Sequence, residues 1–291
     1  MEIRVLNYFV ETARQKSMTK AAKKLHVTQP TLSKQLKDLE HELGQKLFKR
    51  SNYNINLTPE GEILYKRAVD ILTIADKTKA EFKSMNDFNG GDLHIGCAES
   101  YGITIIAKAL KSLTRKYPNI KFHLYSGNFQ TVTEQLNNGL LDFSITVQNI
   151  DTSAFNSLRL PYTDTWGILM RKDSLLAKKN TISIQDISKL SLIISRQGFS
   201  DEMPNELKNM QSKMNITGTY DLLYNASLFV SEGLGYALCF NNLIDTSSES
   251  DLIFKEITPT ISSPMKVIWP SNQMLSQSAE LFLKELKNNT L

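Results

Sequence analysis

Residues 17–50 read SMTKAAKKLHVTQPTLSKQLKDLEHELGQKLFKR, and their spacing leaves few choices of local structure. Ser17 is placed to cap a first helix. Ala21 and Ala22 in that helix are small enough to let a second helix approach closely. Leu25 ends it, and His26-Val27 carry a tight turn. Thr28 is a good N-cap for the next helix, and Pro30 falls in its first turn, where no intrahelical N–H is needed. Leu32, Leu36, Leu39 and Leu43 then recur at 4, 3 and 4, an apolar stripe of helical period. Gly44 stops it. The opposite face shows Gln29, Thr31, Ser33, Lys34 and Lys37.

Charge separates this pair of helices from an ordinary solvated one. Residues 14–50 hold ten Lys/Arg against three Asp/Glu, a local +7 in a chain whose total is +4. Residues 1–90 carry net +5 and residues 91–291 net −1. A basic module on a near-neutral body is the footprint of contact with a polyanion.

Ser17, Ala21-Ala22, Leu25, Gln29-Pro30, Ser33, Leu39-Glu40, Leu43-Gly44, Leu47-Phe48, Arg50 and Leu57-Thr58 with Gly61 closely resemble the winged helix-turn-helix of LysR-type transcriptional regulators. The resemblance covers residues 1 to about 88, and the remainder has the length and element order that family implies. It implies an α/β chain: an N-terminal winged helix-turn-helix over 1–58, a linker helix over 59–90, and a two-lobed effector-binding domain over 91–291 similar to periplasmic solute-binding proteins.

The length of 291 residues suits about two domains, and 41% apolar content is ample for a core. No apolar run approaches the eighteen or so residues a membrane helix needs. The first residues, MEIRVLNYFVETARQ, carry charges throughout and read as no signal peptide. Cys97 and Cys239 are flanked by apolar residues and suit a reducing cytoplasm, as small buried hydrophobes.

In chain order, residues 2–14 read as an amphipathic helix with Ile3, Leu6, Phe9, Val10 and Ala13 inward. Residues 46–58 read as the wing, a hairpin holding Lys46, Lys49 and Arg50 around Ser51-Asn52-Tyr53-Asn54; the two asparagines predict a weak phosphate grip at its tip. Thr58-Pro59-Glu60-Gly61 opens a helix to about Met85, some 40 Å long. Leu64, Ile71, Thr78 and Met85 are seven apart, as are Ala68, Ala75 and Phe82. Such a seam pairs with another helix or packs on its own domain. The charged opposite face favours dimerisation, and the resemblance implies the same. Asn86 to Gly91 breaks the chain.

Beyond it, strands and helices alternate. Strands are expected at 93–97, 121–125, 142–147, 165–171, 192–195, 217–220, 236–240 and 265–269, with helices at 103–117, 129–138, 202–214, 226–232 and 276–288. The resemblance divides this part into lobe I (91–161 and 265–291) and lobe II (162–264), with crossings near Pro161-Tyr162-Thr163 and between Thr258-Pro259 and Pro264.

Ligands of open parallel sheets bind beyond the carboxyl ends of the strands. Three loops qualify. Ala98-Glu99-Ser100-Tyr101-Gly102 leads into a helix N-terminus, where backbone N–H groups with the Ser100 and Thr104 hydroxyls would hold a carboxylate or similar anion. Thr146-Val147-Gln148 is the second. Ser195-Arg196-Gln197-Gly198-Phe199-Ser200 is the third, with Arg196 as a charged donor and Phe199 as an apolar wall. Asn225 adds a contact from the same lobe. Ser100 and Asn225 are equally suited to plain helix capping.

His26, His41, His94 and His123 show no metal-ligand spacing, and neither a Gly-rich phosphate loop nor a nucleophile elbow appears. The expectation is therefore a cytoplasmic regulator, not an enzyme, without cofactor or metal and without membrane contact. The resemblance implies double-stranded promoter DNA, a small effector, a second copy of the chain with tetramers common, and RNA polymerase as a further candidate partner. The loop chemistry suggests an anionic effector. Gln29 is the leading base reader, with Thr31 and Ser33 behind it; Lys34, Lys37, Lys49 and Arg50 face phosphates, and Ser17 and Pro30 belong to the same surface. The rival readings are a transporter's solute-binding protein, an enzyme using the cleft, and a DNA-architectural protein without effector control.

Overall fold

Phe9 and Leu32, both fully buried, lie at the centre of residues 1–86, the first of two compact units; residues 87–291 form the second. The computed structural model describes residues 1–50, 55–86, 88–127, 129–147, 153–196 and 203–290, with residues 50 and 83–86 described by backbone alone. The wing tip 51–54, Gln148 and the 197–200 part of the third loop lie outside the described residues.

The first unit runs α1 (Ile3–Gln15), α2 (Met18–Lys24), α3 (Gln29–Leu43), β1 (Phe48–Arg50), β2 (Ile55–Leu57) and α4 (Pro59–Asn86). Ser17 caps α2 by accepting the Lys20 N–H, and Thr28 caps α3 by accepting the Thr31 N–H. Ala21 and Ala22 are buried where α2 and α3 meet, as their small side chains predict. Val27 N–H closes on the Ala22 carbonyl at 3.0 Å, with His26 at φ 54° turning the chain. Gly44, at φ 66°, ends α3 in the left-handed conformation glycine favours.

Two inward assignments fail at helix ends. Ile3 is 50% exposed and Leu43 39% exposed, because each sits in a terminal turn that overhangs the core; Val5 fills the place given to Ile3.

The wing is tied to α3 by Glu40. Its carboxylate accepts the Leu47 N–H (2.8 Å) and the Phe48 N–H (3.3 Å) and meets Lys46 Nζ at 3.0 Å. Burial works to raise its pKa, but the two amides and the ammonium outweigh burial and hold it below the usual carboxylate value. Thr58 locks the other side, donating to the Lys46 carbonyl at 2.6 Å and capping α4 at the Gly61 N–H. A β-carbon on Gly61 would stand 2.2 Å from the Leu47 carbonyl oxygen, so only glycine lets α4 start this close to β1.

The heptad seam of α4 divides. Ala68 is fully buried, and Leu64 and Ile71 pack with it on the unit's own core. Of these three, Ala68 is closed off within the unit, while Leu64 and Ile71 stay partly exposed. Packing within the unit and pairing with a second helix both need an apolar repeat, so the seven-residue spacing does not distinguish them. Ala75 is half-buried, and Thr78 and Phe82 are exposed. Ile63 (67% exposed) and Ile74 (38%) lie on the outward face, eleven residues or about three turns apart. The Met85 side chain falls outside the description.

The second unit contains β3 (Gly91–Cys97), α5 (Ile103–Lys116), β4 (Ile120–Ser126), α6 (Phe129–Asn137), β5 (Phe143–Thr146), β6 (Phe155–Arg171), β7 (Ile182–Ser183), α7 (Ile184–Ile187), β8 (Ser191–Ser195), α8 (Asn205–Lys208), β9 (Asn215–Tyr220), α9 (Leu223–Ser231), β10 (Tyr236–Phe240), β11 (Leu252–Thr258), β12 (Ser262–Pro270) and α10 (Gln277–Thr290). The main strand order is β4-β3-β5-β12-β6-β10-β8-β9. β3 pairs parallel with β4 and β5, and β8 parallel with β9 and β10, as alternating strands and helices require.

Two lobes have separate cores. One gathers Leu93, Ile95, Leu113, Phe143 and Phe282; the other Ile168, Leu192, Ile194 and Leu238. β6 and β12 run through both as an antiparallel pair, with a register break between Pro264 and Lys266. The strand expected at 165–171 is thus the second half of a 17-residue strand. Arg159, Pro161 and Asp164 interrupt its apolar pattern and hide the first half. β11 was also missed, and the helix expected over 202–214 shrinks to α8 and a 3-10 turn at Gln211–Lys213, because Pro204 sets its start.

Candidate functional site

The amino-terminal surface is built on α3. Gln29, Pro30, Thr31, Lys34 and Lys37 are exposed along it, Ser33 is half-buried, and Lys49 is exposed on β1. Gln29 heads the helix, and its amide makes no hydrogen bond among the described residues. Thr31 differs: its hydroxyl lies 2.8 Å from that of Thr28 and belongs to the cap. Ser17 likewise spends its oxygen on α2. Lys16, Lys20 and Lys23 add exposed positive charge on and before α2. Arg50 lies in β1, and its side chain is outside the description.

The second surface is a cavity of about 680 Å³ between the lobes. Lobe I supplies Cys97, Ala98, Glu99, Phe129 and Gln130; lobe II supplies Trp166, Ser195, Arg196, Tyr220, Leu223 and Phe240. Of the expected contacts, Ser195 and Arg196 line it. Gln148 and Phe199 lie outside the described residues.

The remaining expected contacts are placed elsewhere. Ser100 borders a smaller neighbouring cavity of about 290 Å³ and is 7% exposed. Its oxygen accepts the Gly102 N–H at 3.0 Å and donates to Asp164 at 2.6 Å. Gly102 is packed beneath Tyr162 and Met265, where a β-carbon would come within 2.5 Å of both. Tyr101 stacks obliquely on Tyr162, ring centres 6.4 Å apart. Thr104 is exposed on α5, Thr146 is buried in β5, and Asn225 is exposed within α9; none of the three lines the cavity. A loop that precedes a helix can direct its hydroxyl to solvent or into the fold, and Asp164 draws this one inward.

Asp164 and Glu99 are the acids that sequence reasoning left without a role. Asp164 is fully buried where β6 crosses between the lobes, and its Oδ1 has no hydrogen-bond partner among the described residues. Burial pushes its pKa to about 6 against the pull of the Ser100 hydroxyl. Glu99 reaches across the cavity and accepts the Leu223 N–H at 3.0 Å, so a lobe I carboxylate caps α9 of lobe II. Burial raises its pKa as well, more than the Leu223 amide lowers it. The signal for Glu99 was its position directly after the strand end at Cys97-Ala98, inside a loop already singled out.

Polar tips of the aromatic residues point into the protein. Tyr220 donates to the Leu238 carbonyl at 2.9 Å, and Trp166 Nε1 donates to Ser263 at 3.0 Å. The Trp166 and Phe240 rings meet at 4.4 Å and 59°. Cys97 and Cys239 are both buried, which pushes Cys97 to about 12 and raises Cys239 too; such thiols hold their protons and make poor nucleophiles.

His94 and His123 stack at 4.7 Å on β3 and β4, with His123 Nε2 3.0 Å from Asp92 and His94 Nδ1 3.1 Å from the Tyr125 hydroxyl. Among the described residues no group of three or more His, Cys, Asp or Glu could hold a metal ion, and no helix is long and apolar enough to cross a membrane.

Comparison with known proteins covers both parts of the chain. A family model described as the LysR substrate binding domain matches residues 86–290. Another, described as a bacterial regulatory helix-turn-helix protein of the lysR family, matches residues 3–62. The HTH-type transcriptional regulator BsdA of Bacillus subtilis (strain 168) is 30% identical, over 97% of this chain and 99% of BsdA. The HTH-type transcriptional regulator EstR of Acinetobacter baylyi is 26% identical, over 99% of this chain and 97% of EstR.

Among solved structures, full-length CbnR in complex with its target DNA superimposes with a TM-score of 0.76 at 18% identity, covering 99% of this chain and 100% of that one. Full-length OxyR from Pseudomonas aeruginosa gives 0.57 at 20% identity, covering 98% and 99%. These likenesses establish a shared fold. The two family matches, joined to a relative 30% identical along nearly its whole length, show that this chain belongs to the LysR family of helix-turn-helix transcriptional regulators.

Proposed function

We propose that the chain acts in the cytoplasm as a paired, ligand-gated DNA-binding regulator, with α3 as the reading element. The observation that carries this is the exposed, unbonded Gln29 amide at the head of a capped helix within a strongly basic module. A glutamine there can bond adenine through its N6 and N7 edge in the major groove. Lys34, Lys37 and Lys49, exposed around it, supply affinity and salt dependence through phosphates. Thr31 and Ser33 rank below Gln29, because one is tied into the cap and the other is half-buried.

Two copies pair through the outward face of α4, where Ile63 and Ile74 are exposed. The pair sets two α3 helices on one face of the duplex at half-sites about one helical turn, or a multiple of it, apart. CbnR was solved on its target DNA, which supports the same use of the shared fold here. Further pairing to a tetramer and contact with RNA polymerase belong to the same reading.

The inter-lobe cavity is the effector site, and it binds its ligand without converting it or recruiting a cofactor. An effector shifts DNA occupancy only by binding one arrangement of the lobes better than another.

The test begins with recovery of bound DNA from the whole genome and measurement of affinities for the strongest site and its single-base variants. Gln29→Ala should flatten the ranking at one adenine per half-site by about 1–3 kcal/mol. An unchanged ranking would refute the reading role.

A further inference from the structure

We propose that the inter-lobe cavity selects a small organic cation: a protonated amine carried on an apolar or aromatic body, with the ammonium at Glu99. The proposal rests on the reading of this cavity as the effector site and names the chemistry that site takes.

Of the donors expected to hold an anion, four amides and the Ser100 hydroxyl are already in use. At the start of α5, Gly102 N–H goes to the Ser100 hydroxyl, Ile103 N–H to the Ser100 carbonyl, Thr104 N–H to the Tyr101 carbonyl and Ile105 N–H to the Gly102 carbonyl. The Ser100 hydroxyl itself is given to Asp164. These four amides are not left to cradle a carboxylate, and the nearest buried charge is itself an acid. Across the cavity, the first amide of α9 is held by Glu99. Arg196 lies 3.5 Å from Asp221, and both are 68% exposed, so the guanidinium sits in solvent with its charge already offset.

The surplus charge in the cavity is negative. Among the described lining residues the charged side chains are Glu99, Asp221 and Arg196, which leave one uncompensated carboxylate. That carboxylate is Glu99, whose described partner is the single Leu223 amide and which forms no ion pair with a described Lys or Arg. It lines the cavity with its surface exposed, and the partial loss of water there raises its pKa more than the Leu223 amide lowers it. An ammonium would. An anionic ligand would meet a like charge at reduced dielectric.

The rest of the cavity fits the remainder of such a molecule. The tips of Trp166 and Tyr220 are bonded inward, so the aromatic surface at Trp166 and Phe240 is apolar and electron-rich. Such ring faces attract cations and accept flat apolar groups. At about 680 Å³ the volume lies within the range of roughly 300–1,000 Å³ usual for small-molecule sites.

The experiment uses the full chain and two matched probe series, 2-phenylethylamine with 3-phenylpropylamine and phenylacetate with 3-phenylpropanoate. Binding is read by calorimetry and by thermal shift of tryptophan fluorescence. The amines should bind the wild-type chain and the carboxylates should not. Glu99→Gln, which keeps an acceptor for Leu223 N–H, should weaken the amines by roughly tenfold or more. Equal binding of amines to wild type and Glu99→Gln overturns the proposal, as does failure of both series to bind.

A second substitution, Ala98→Trp, fills the cavity and separates the two readings. Carboxylates that bind wild type and are lost in Ala98→Trp would refute the cation and keep the cavity. Any probe that binds Ala98→Trp unchanged would place its site elsewhere and refute the cavity as well.

Discussion

Asp164→Asn is expected to make the second unit less sensitive to pH, in a direction and by an amount the structure sets. In the folded chain Asp164 is fully buried, accepts one hydrogen bond from Ser100 and leaves Oδ1 unpaired among the described residues. Burial lifts its pKa from about 3.8 to about 6. An acid whose folded pKa is raised holds its proton more tightly in the folded state. Its contribution to stability is complete below the unfolded value and is lost as pH rises through the folded one. The gap between 3.8 and about 6, at about 1.36 kcal/mol for each pH unit, comes to on the order of 3 kcal/mol lost between pH 4 and pH 7.

Asparagine keeps an acceptor for Ser100 and carries no charge, so the loss due to this position should be absent over that window. Both tryptophans of the chain, Trp166 and Trp269, lie in residues 87–291, so urea unfolding followed by tryptophan fluorescence reports this unit alone. The difference in unfolding free energy between Asp164→Asn and wild type should move in favour of the variant as pH rises. A difference that stays flat from pH 4 to pH 7 would show that Asp164 is not the enclosed acid described.

Gly61→Ala drives a β-carbon into the Leu47 carbonyl and should cost the first unit about 1–3 kcal/mol, read by far-UV circular dichroism because that unit has no tryptophan; wild-type stability would deny the close approach of α4 and β1. Ile74→Glu places a charge on the outward face of α4 and should weaken self-association at least about tenfold in sedimentation equilibrium, while unchanged association would move the pairing surface off this face. Lys34→Ala with Lys37→Ala should weaken binding to all duplexes alike and reduce the slope of log affinity against log salt by about one for each lost phosphate contact. An unchanged slope would take both lysines off the backbone.

The first unit was legible because its signals are local. Ser17, Thr28 and Gly44 each act within four residues, and the 4-3-4 leucine stripe of α3 faces the core through Leu32, Leu36 and Leu39. The alternation of strands and helices in the second unit was legible for the same reason, with β7, α7, β11 and the first half of β6 left out. What a side chain meets across the fold was not. Ala68 sits on a seven-residue repeat that serves an external partner and an internal core equally, and the choice was made by α1 and the rest of the head core. Ser100 looked like an anion ligand until Asp164, sixty-four residues away, was brought to 2.6 Å from it. Glu99 acquired its place only when α9 came to face it across the cavity. β6 was half hidden because a strand crossing between two lobes must carry polar and proline residues where no core covers it.

The way β6 and β12 pass together from one lobe to the other limits how a ligand can act. Two separate tethers could slide past one another, but hydrogen-bonded strands resist shear and tend to move as one ribbon. Their register breaks between Pro264 and Lys266, and proline brings no N–H to the ladder there. Bending is easiest at that interruption, so a small molecule that closed the lobes would act through a flex of this one place, and its message would be an angle.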